Sequence, residues 1–184
     1  MITVGIDEVG RGSWAGPLAA AAVMLLSNID GLTDSKLLSS AKRQHLAGLI
    51  KQNSVWGIGW VEPIEIDERG LTKAVRLAMQ RAIGQIKCDF DEIIIDGNYN
   101  FLKDDNRVRT LVRADRLIPA VSAASIIAKV ARDDLMLQMD LLYPGYNFAT
   151  NVGYGTSRHI AGLHKLGICE LHRKSYLPVK NFMC

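Results

Sequence analysis

The sequence has few cysteines, no long apolar run and no secretory signal, and each absence excludes a class of protein. Its 184 residues include three cysteines, which is an odd number and too few for a disulfide scaffold or a zinc site. The most apolar stretch, AGPLAAAAVMLL (15–26), holds a Gly and a Pro and is shorter than the ~20 residues that a membrane-spanning helix needs. The N-terminus lacks the basic and apolar regions of a signal peptide. These absences predict a reduced, cytoplasmic protein without a membrane segment.

Three catalytic signatures are also missing. The chain has no GxxxxGK[ST] phosphate-binding loop, no HExxH zinc motif and no GxSxG nucleophile elbow. A P-loop nucleotide enzyme, a zinc metalloprotease and a serine hydrolase of the elbow type are therefore not expected.

Charge is unevenly distributed along the chain. The formal net charge is +3, yet residues 151–184 alone carry +4 and the rest of the chain carries −1. A basic segment of this kind is typical of a surface that binds a polyanion, although a solvated basic helix has the same composition.

Apolar stretches with strand character alternate with segments of helical period, which predicts an α/β architecture. Strands are predicted at 2–6, 18–26, 55–61, 92–96 and 108–112. Helices are predicted at 39–53, with Ser39 or Ser40 as the N-cap, and at 71–86, about 121–142 and 156–166.

Two of the predicted strands end in acids followed by glycine. Asp7 and Glu8 follow the first strand, and Asp96 ends the fourth. If these strands are neighbours, three carboxylates meet at one edge of the sheet, where they cannot all stay ionised without a cation. Hard oxygen ligands favour Mg²⁺ or Mn²⁺, so the pattern predicts a metal-dependent phosphoryl-transfer site. Taken alone, Asp96 is more typical of a turn or helix cap.

A Gly-Arg-Gly loop follows the acid pair after one residue. Gly10 and Gly12 let the main chain adopt unusual dihedral angles and approach a ligand closely, and Arg11 can contact a phosphate or a sugar. Together with the acids, this loop favours phosphoryl chemistry on a polyanion.

Six motifs then follow one another along nearly the whole chain. They are DEVGRG near the N-terminus, DSK (34–36), IIIDGN (93–98), SAASIIAKVARD (122–133), GYGTSRH (153–159) and HRKSY (172–176). In this order they resemble the bacterial ribonuclease HII family, the type 2 ribonucleases H.

The resemblance implies a ribonuclease H-like α/β fold: a mixed five-stranded sheet flanked by helices, with a small helical C-terminal part. We expect a catalytic core at 1–142 and a basic segment at 143–184 packed on it, in one compact, monomeric domain. The implied metal-binding and catalytic acids are Asp7, Glu8, Asp96 and Asp115.

The implied reaction is hydrolysis of the phosphodiester on the 5′ side of a ribonucleotide, leaving a 3′-hydroxyl and a 5′-phosphate. Two Mg²⁺ or Mn²⁺ ions would serve it. The implied substrates are RNA–DNA hybrids and DNA duplexes that carry single ribonucleotides.

Further residues are implied to bind this substrate. The Gly-Arg-Gly loop and Tyr154 are expected to read the junction between ribonucleotide and DNA, where the 2′-hydroxyl distinguishes RNA. Contacts to the duplex backbone, which set affinity and salt dependence, are expected from one polar and five basic side chains. These are Lys36, Lys129, Arg158, Arg173, Lys174 and Ser175.

Two positions depart from the family pattern, and rival interpretations stay open. Trp14 stands where a smaller or proline-containing sequence is expected, and Gly155 stands where proline is common. The rivals are a ribonuclease HIII-like or other nuclease of the same fold, a non-catalytic hybrid-binding module, and a metal-free domain whose acids are caps. The sequence does not decide between single ribonucleotides and longer RNA as the better substrate.

Overall fold

An apolar N-terminal stretch forms the central strand of the sheet in the computed structural model, which describes residues 1–183. The strands are β1 (Thr3–Val9), β2 (Leu18–Leu25), β3 (Ser54–Val61), β4 (Glu92–Asp96) and β5 (Val108–Leu111). They lie in the order β3-β2-β1-β4-β5, with β1–β2 and β2–β3 antiparallel and β1–β4 and β4–β5 parallel. This mixed five-stranded sheet confirms the predicted fold class.

The helices flank this sheet and include every helix that the periodicity predicts. They are α1 (Ser40–Gln52), α2 (Pro63–Arg69), α3 (Leu71–Ile83), α4 (Ala114–Leu117), α5 (Pro119–Leu142), α6 (Phe148–Asn151), α7 (Ser157–Leu166) and α8 (Leu177–Lys180). Ser39 is the N-cap of α1, because its side chain accepts the backbone N–H of Lys42. The short helices α2, α4, α6 and α8 were not predicted, since fewer than eight residues show little periodicity.

Two glycines let helices approach the sheet closely. On one face, α3 packs against β2 and β3, where a Cβ atom on Gly59 would lie 1.9 Å from the Ala78 carbonyl oxygen. On the other face, α5 packs on β1, where a Cβ atom on Gly5 would lie 2.2 Å from Val121 N. The sheet is therefore covered on both faces, and the start of α5 lies directly beside β1.

The C-terminal part packs against α5 and the loop after β1. Phe148, Leu163 and Tyr146 form an apolar cluster with Ala15 and with Met136 of α5. Backbone hydrogen bonds also join residues 14–16 to 171–173, for example from Gly16 N–H to the Leu171 carbonyl at 2.8 Å. The division into a core and a C-terminal segment near residue 142 stays a prediction.

The first strand is longer than predicted. It continues past Ile6 to Val9, because residues 7–9 pair with Ala19–Ala21 of β2 even though the pairing with β4 ends at Ile6. Asp7 and Glu8 therefore lie within a strand and point to opposite faces of the sheet. None of the helices in residues 1–183 is both long and apolar enough to cross a membrane.

Candidate active site

The parallel pairing of β1 with β4 brings the predicted acids to one edge of the sheet. Asp7 lies opposite Ala21, whose side chain packs on the α5 face, and Glu8 lies opposite Ala20, which packs on the α3 face. Asp96 ends β4 one residue beyond the last β1–β4 pair. The three carboxyl groups are close enough for the Asp96 charge to raise the pKa of both others.

Asp7 carries the most strongly shifted carboxyl group of this cluster. Desolvation is the main cause, and the charges of Glu8 and Asp96 add to it, so that its pKa rises to about 8. Two neighbours oppose the shift: the Asp7 carboxylate accepts the backbone N–H of Glu8 at 2.8 Å, and the Ser125 hydroxyl of α5 also lowers the Asp7 pKa. Ser125 Oγ lies 2.9 Å from the hydroxyl of buried Ser35, which completes a short polar chain.

One carboxylate oxygen of Glu8 is buried without a hydrogen-bond partner. Oε1 accepts a hydrogen bond from Arg11 Nη1 at 3.0 Å, whereas Oε2 is buried without a hydrogen-bond partner. Desolvation raises the Glu8 pKa, Arg11 opposes this and Asp96 adds to it. A buried carboxylate oxygen without a partner is costly unless a cation or a proton meets it.

Asp96 also connects the cluster to Asp115. Asp96 Oδ1 accepts the backbone N–H of Ala114 at 2.7 Å, which places the first turn of α4 beside the end of β4. Asp115 follows in that turn and is 6% exposed. Its pKa is raised by desolvation first and then by the negative charges of Asp96 and Asp34. The four predicted acids therefore form one electrostatically coupled group.

The chemistry of this group fits a divalent metal ion, although its geometry is not that of a closed metal site. Four hard carboxylate donors lie together, desolvation with the added charge of Asp96 raises the pKa of Asp7, Glu8 and Asp115, and one carboxylate oxygen is orphaned. Among residues 1–183, no three or more acid, histidine or cysteine side chains already converge as ligands. Glu8 is turned toward Arg11 and Asp96 toward Ala114.

The Gly-Arg-Gly loop lies beside the acids and next to Tyr154. Gly10 adopts a positive φ of 87°, and a Cβ atom there would lie 2.4 Å from Nε of buried Arg132. A Cβ atom on Gly12 would lie 3.6 Å from Tyr154 Cε1, so the tyrosine ring packs against this loop. The Tyr154 side chain is exposed, and Arg11 is half-exposed next to Glu8.

Arg173 is placed differently from the sequence prediction. It is fully buried and does not offer its guanidinium to a phosphate. Its Nε and Nη2 donate to the Gly16 carbonyl, and Nη1 donates to the Arg11 carbonyl at 3.0 Å and to Tyr176 Oη. The expected backbone contact is therefore corrected: Arg173 holds the Gly-Arg-Gly loop from beneath.

The other predicted substrate residues lie at varying distances from the acids. Lys36 is near enough to Asp115 to lower its pKa. Lys129 binds Asp133 within α5 at 2.8 Å, and exposed Arg158 lies in the first turn of α7. Ser175 is not a free hydroxyl, because its Oγ donates to Asp67 at 2.6 Å. The described contacts place Lys129, Arg158 and Ser175 outside the acid group.

A cavity of about 250 Å³ opens beside Asp96. It is lined by Arg11 and Asp96 and by Asn98, Tyr99 and Phe101 of the loop after β4. The guanidinium of Arg11 lies 5.6 Å from the Phe101 ring centroid. Negative, positive and aromatic groups thus border one opening next to the acids.

Sequence reasoning assigned no role to several residues that the structure places at this site. Asp34 and Ser125 occur in the DSK and SAASIIAK motifs, and His159 and His172 occur in GYGTSRH and HRKSY. Only their positions within these motifs could have indicated a role, because the residues around each of them have no pattern that distinguishes a functional polar side chain from a structural one.

Comparisons with known proteins identify the family that this chain resembles. The profile of the ribonuclease HII family matches residues 4–179. Ribonuclease HII from Halorhodospira halophila is 44% identical over 185 aligned residues, covering 98% of this chain and 94% of that protein. Ribonuclease HII from Jannaschia sp. strain CCS1 is 42% identical, covering 100% and 93%. The solved PCNA–ribonuclease HII complex from Archaeoglobus fulgidus contains a chain with a TM-score of 0.82 and 26% identity, covering 96% of this chain and 95% of that chain.

Proposed function

This chain belongs to the ribonuclease HII family and is a ribonuclease H acting on RNA–DNA substrates, and from that premise we propose how its residues perform the reaction. Membership of the family also implies dependence on a divalent metal ion. We propose that the chain hydrolyses the phosphodiester on the 5′ side of a ribonucleotide, in RNA–DNA hybrids and at single ribonucleotides in duplex DNA. A monomeric state and a cytoplasmic location stay predictions.

The observation that carries the proposal is the coupled acid group beside the Gly-Arg-Gly loop. A protein that only bound nucleic acid would gain nothing from clustered negative charge, because carboxylates repel phosphates. The buried, partnerless oxygen of Glu8 and the raised pKa of Asp7 both favour a bound cation. This combination favours a nuclease over a hybrid-binding module.

We propose that Asp7, Glu8, Asp96 and Asp115 would hold two Mg²⁺ or Mn²⁺ ions. When bound, such ions supply an activated water and neutralise charge on the phosphate. The protein's part is to place the carboxylates: Ser125 and the Glu8 N–H orient Asp7, and the Ala114 N–H orients Asp96. Glu8 and Asp96 would need to turn from Arg11 and Ala114 toward the ions.

Selection of RNA is proposed to come from the exposed edge formed by the Gly-Arg-Gly loop and Tyr154. The loop carries no side chain at Gly10 and Gly12, and the Tyr154 ring lies 3.6 Å from the Cβ position of Gly12. A backbone N–H or carbonyl placed this close to a sugar can hydrogen-bond its 2′-hydroxyl, the group that DNA lacks. Lys36, Lys129, Arg158 and Lys174 are proposed to contact the duplex backbone.

The test uses two labelled duplexes, one with a single embedded ribonucleotide and one RNA–DNA hybrid, with Mg²⁺ or with chelator. We expect Mg²⁺-dependent cleavage 5′ to the ribonucleotide, and loss of cleavage of both duplexes in Asp7→Asn. Asp89→Asn, at an exposed position, is the matched control.

Each other outcome removes a different part of the proposal. Cleavage of the hybrid alone would leave the acids in place and remove the junction-reading role of the loop and Tyr154. Tight binding of both duplexes without cleavage would favour the hybrid-binding module instead.

A further inference from the structure

Two buried histidines lie beneath the Tyr154 loop and have no part in the proposed chemistry. His159 lies in α7 and His172 in the loop before α8, and they are 0% and 1% exposed. Their Nε2 atoms are 3.0 Å apart. We refer to His159 and His172 as the histidine pair.

The hydrogen bonds of the histidine pair admit one arrangement of protons when both rings are neutral. His159 Nδ1 lies 2.9 Å from the Tyr154 carbonyl oxygen, which can only accept, so Nδ1 carries the proton and His159 Nε2 accepts. His172 Nε2 must then donate to His159, which leaves His172 Nδ1 as an acceptor.

At the far end of this hydrogen-bond chain, His172 Nδ1 lies 2.9 Å from the backbone nitrogen and 3.2 Å from the carbonyl oxygen of Cys169, and the shorter contact agrees with that assignment. The backbone N–H of Cys169 points at His172 Nδ1 from 2.9 Å, and an N–H can only donate. The hydrogen bonds therefore all point in one direction, with each donor following the last from the Cys169 N–H through His172 and His159 to the Tyr154 carbonyl.

The surroundings keep both rings neutral. The rings of Tyr146 and Phe148 lie within about 6 Å of the histidine pair, and Cys169 Sγ is 3.2 Å from His172 Nδ1. Desolvation lowers the pKa of both histidines. A proton added to His159 would set two N–H groups against each other at the Nε2–Nε2 contact, and a proton added to His172 would do so between its Nδ1 and the Cys169 N–H.

We propose that the histidine pair is a positioning device for Tyr154, fixing the backbone of the residue that reads the ribonucleotide junction. The proposal rests on the junction-reading role of Tyr154 given above. Tyr154 also donates its own N–H to the Asn151 carbonyl at 2.9 Å, so both backbone groups of the reading residue are tied to the interior. A side chain that contacts substrate is held in place by residues that do not.

Two substitutions of one histidine separate positioning from packing. In His159→Asn the amide NH₂ lies near the position of Nδ1 and can still donate to the Tyr154 carbonyl. In His159→Gln the amide lies near the position of Nε2, so the contact to His172 can persist while the bond to Tyr154 is lost. His164→Gln, at an exposed position of α7, is the control.

We expect kcat/KM on the single-ribonucleotide duplex to fall about tenfold in His159→Gln, mainly through KM, and to stay within about threefold of the parent in His159→Asn. Cleavage of a long RNA–DNA hybrid should change less in both variants. Equal losses in the two variants, or no loss in His159→Gln, would overturn the proposal. Rates are compared below the melting temperature of each variant.

Nitrogen-15 NMR of the unsubstituted protein tests the proton arrangement without any variant. The expected spectrum has His159 protonated at Nδ1 and His172 at Nε2 at neutral pH, and the opposite tautomers would overturn the proposal. Tyr154→Ala separates the junction-reading role of Tyr154 from the positioning role of the histidine pair. If it leaves junction cleavage unchanged, the proposed role of Tyr154 fails; if it abolishes junction cleavage while His159→Gln does not, only the positioning role fails.

Discussion

The acid group and the Tyr154 loop lie next to each other but are built in opposite ways. Asp7, Glu8 and Asp96 are held by the register of β1 and β4; burial raises the pKa of Asp7 and Glu8, and the charge of Asp96 adds to both shifts. The Tyr154 loop is held by a neutral histidine pair and by hydrogen bonds between distant segments. In one region like charges repel one another, which a cation can relieve, whereas in the other the two histidines are neutral and buried Arg132 donates to the Val152 carbonyl at 2.8 Å.

This difference separates two kinds of mutational effect. Changes in the acid group should abolish chemistry on every substrate while costing little stability, since removal of a like charge relieves repulsion. Changes around the Tyr154 loop should cost stability and affect junction recognition first. Four predictions test this contrast.

The largest effect is expected from Asp96→Asn, which removes the negative charge that helps to raise the pKa of the other three acids. Cleavage of both duplexes should fall about a thousandfold. The free energy of unfolding should not fall, because the asparagine oxygen can still accept the Ala114 N–H and the charge that raises the pKa of Asp7, Glu8 and Asp115 is gone. Steady-state cleavage and urea unfolding at pH 8 measure the two effects, and a clear loss of stability would contradict the contrast.

The histidine pair should make the protein sensitive to acid. Burial lowers the pKa of His172 to about 4, against about 6.5 in the unfolded chain. Between these values the unfolded state binds the proton more tightly, so the contribution of His172 is present above pH 6.5 and is lost as pH falls toward 4. The loss should reach up to about 3 kcal/mol.

Urea unfolding of the parent and of His172→Gln between pH 7 and pH 4 measures this contribution. The raised pKa of Asp7 acts with the opposite sign, because a protonated carboxyl group favours the folded state at low pH. Only the difference between the free energies of unfolding of the parent and of His172→Gln isolates the contribution of His172. Parallel curves for the two proteins would exclude the assignment.

Arg173 and Lys174 are neighbours in sequence with different expected roles. Arg173→Lys loses the forked contacts to the Gly16 and Arg11 carbonyls, so stability should fall by about 2 kcal/mol and junction cleavage should weaken. Lys174→Met, at an exposed position, should leave stability unchanged and reduce the salt dependence of binding to all duplexes alike. Equal loss of stability in both variants would remove the distinction.

The smallest effect is expected at the contact between Trp14 and Gly155. A Cβ atom on Gly155 would lie 2.2 Å from Trp14 Cζ2, so Gly155→Ala should cost about 1–2 kcal/mol and loosen the Tyr154 loop. A double substitution with Trp14→Leu should recover part of that loss, because the indole is the obstructing group. Thermal unfolding of the two single variants and the double variant measures the coupling, and strictly additive losses would show that the two positions are independent.

Much of the fold was predictable because its signals are local. The apolar strands, the helical period of α3 and a serine cap on α1 follow from residues within one element; the structure confirms these elements and selects Ser39 over Ser40 as the cap. The acid-then-glycine pattern after two buried strands also brought Asp7 and Asp96 together correctly, since parallel neighbours end at one edge of the sheet.

The sequence by itself therefore determined the α/β layers and the strands that carry Asp7, Glu8 and Asp96, because periodicity and turn chemistry act over a few residues. Only the tertiary structure placed Asp115, through a short helix that begins after Arg113 in a left-handed conformation. It alone also buried Arg173, joined His159 to His172 and set Trp14 on Gly155. These arrangements connect residues that are mostly far apart along the chain, and their partners become defined only when the sheet, α5 and the C-terminal segment close on one another.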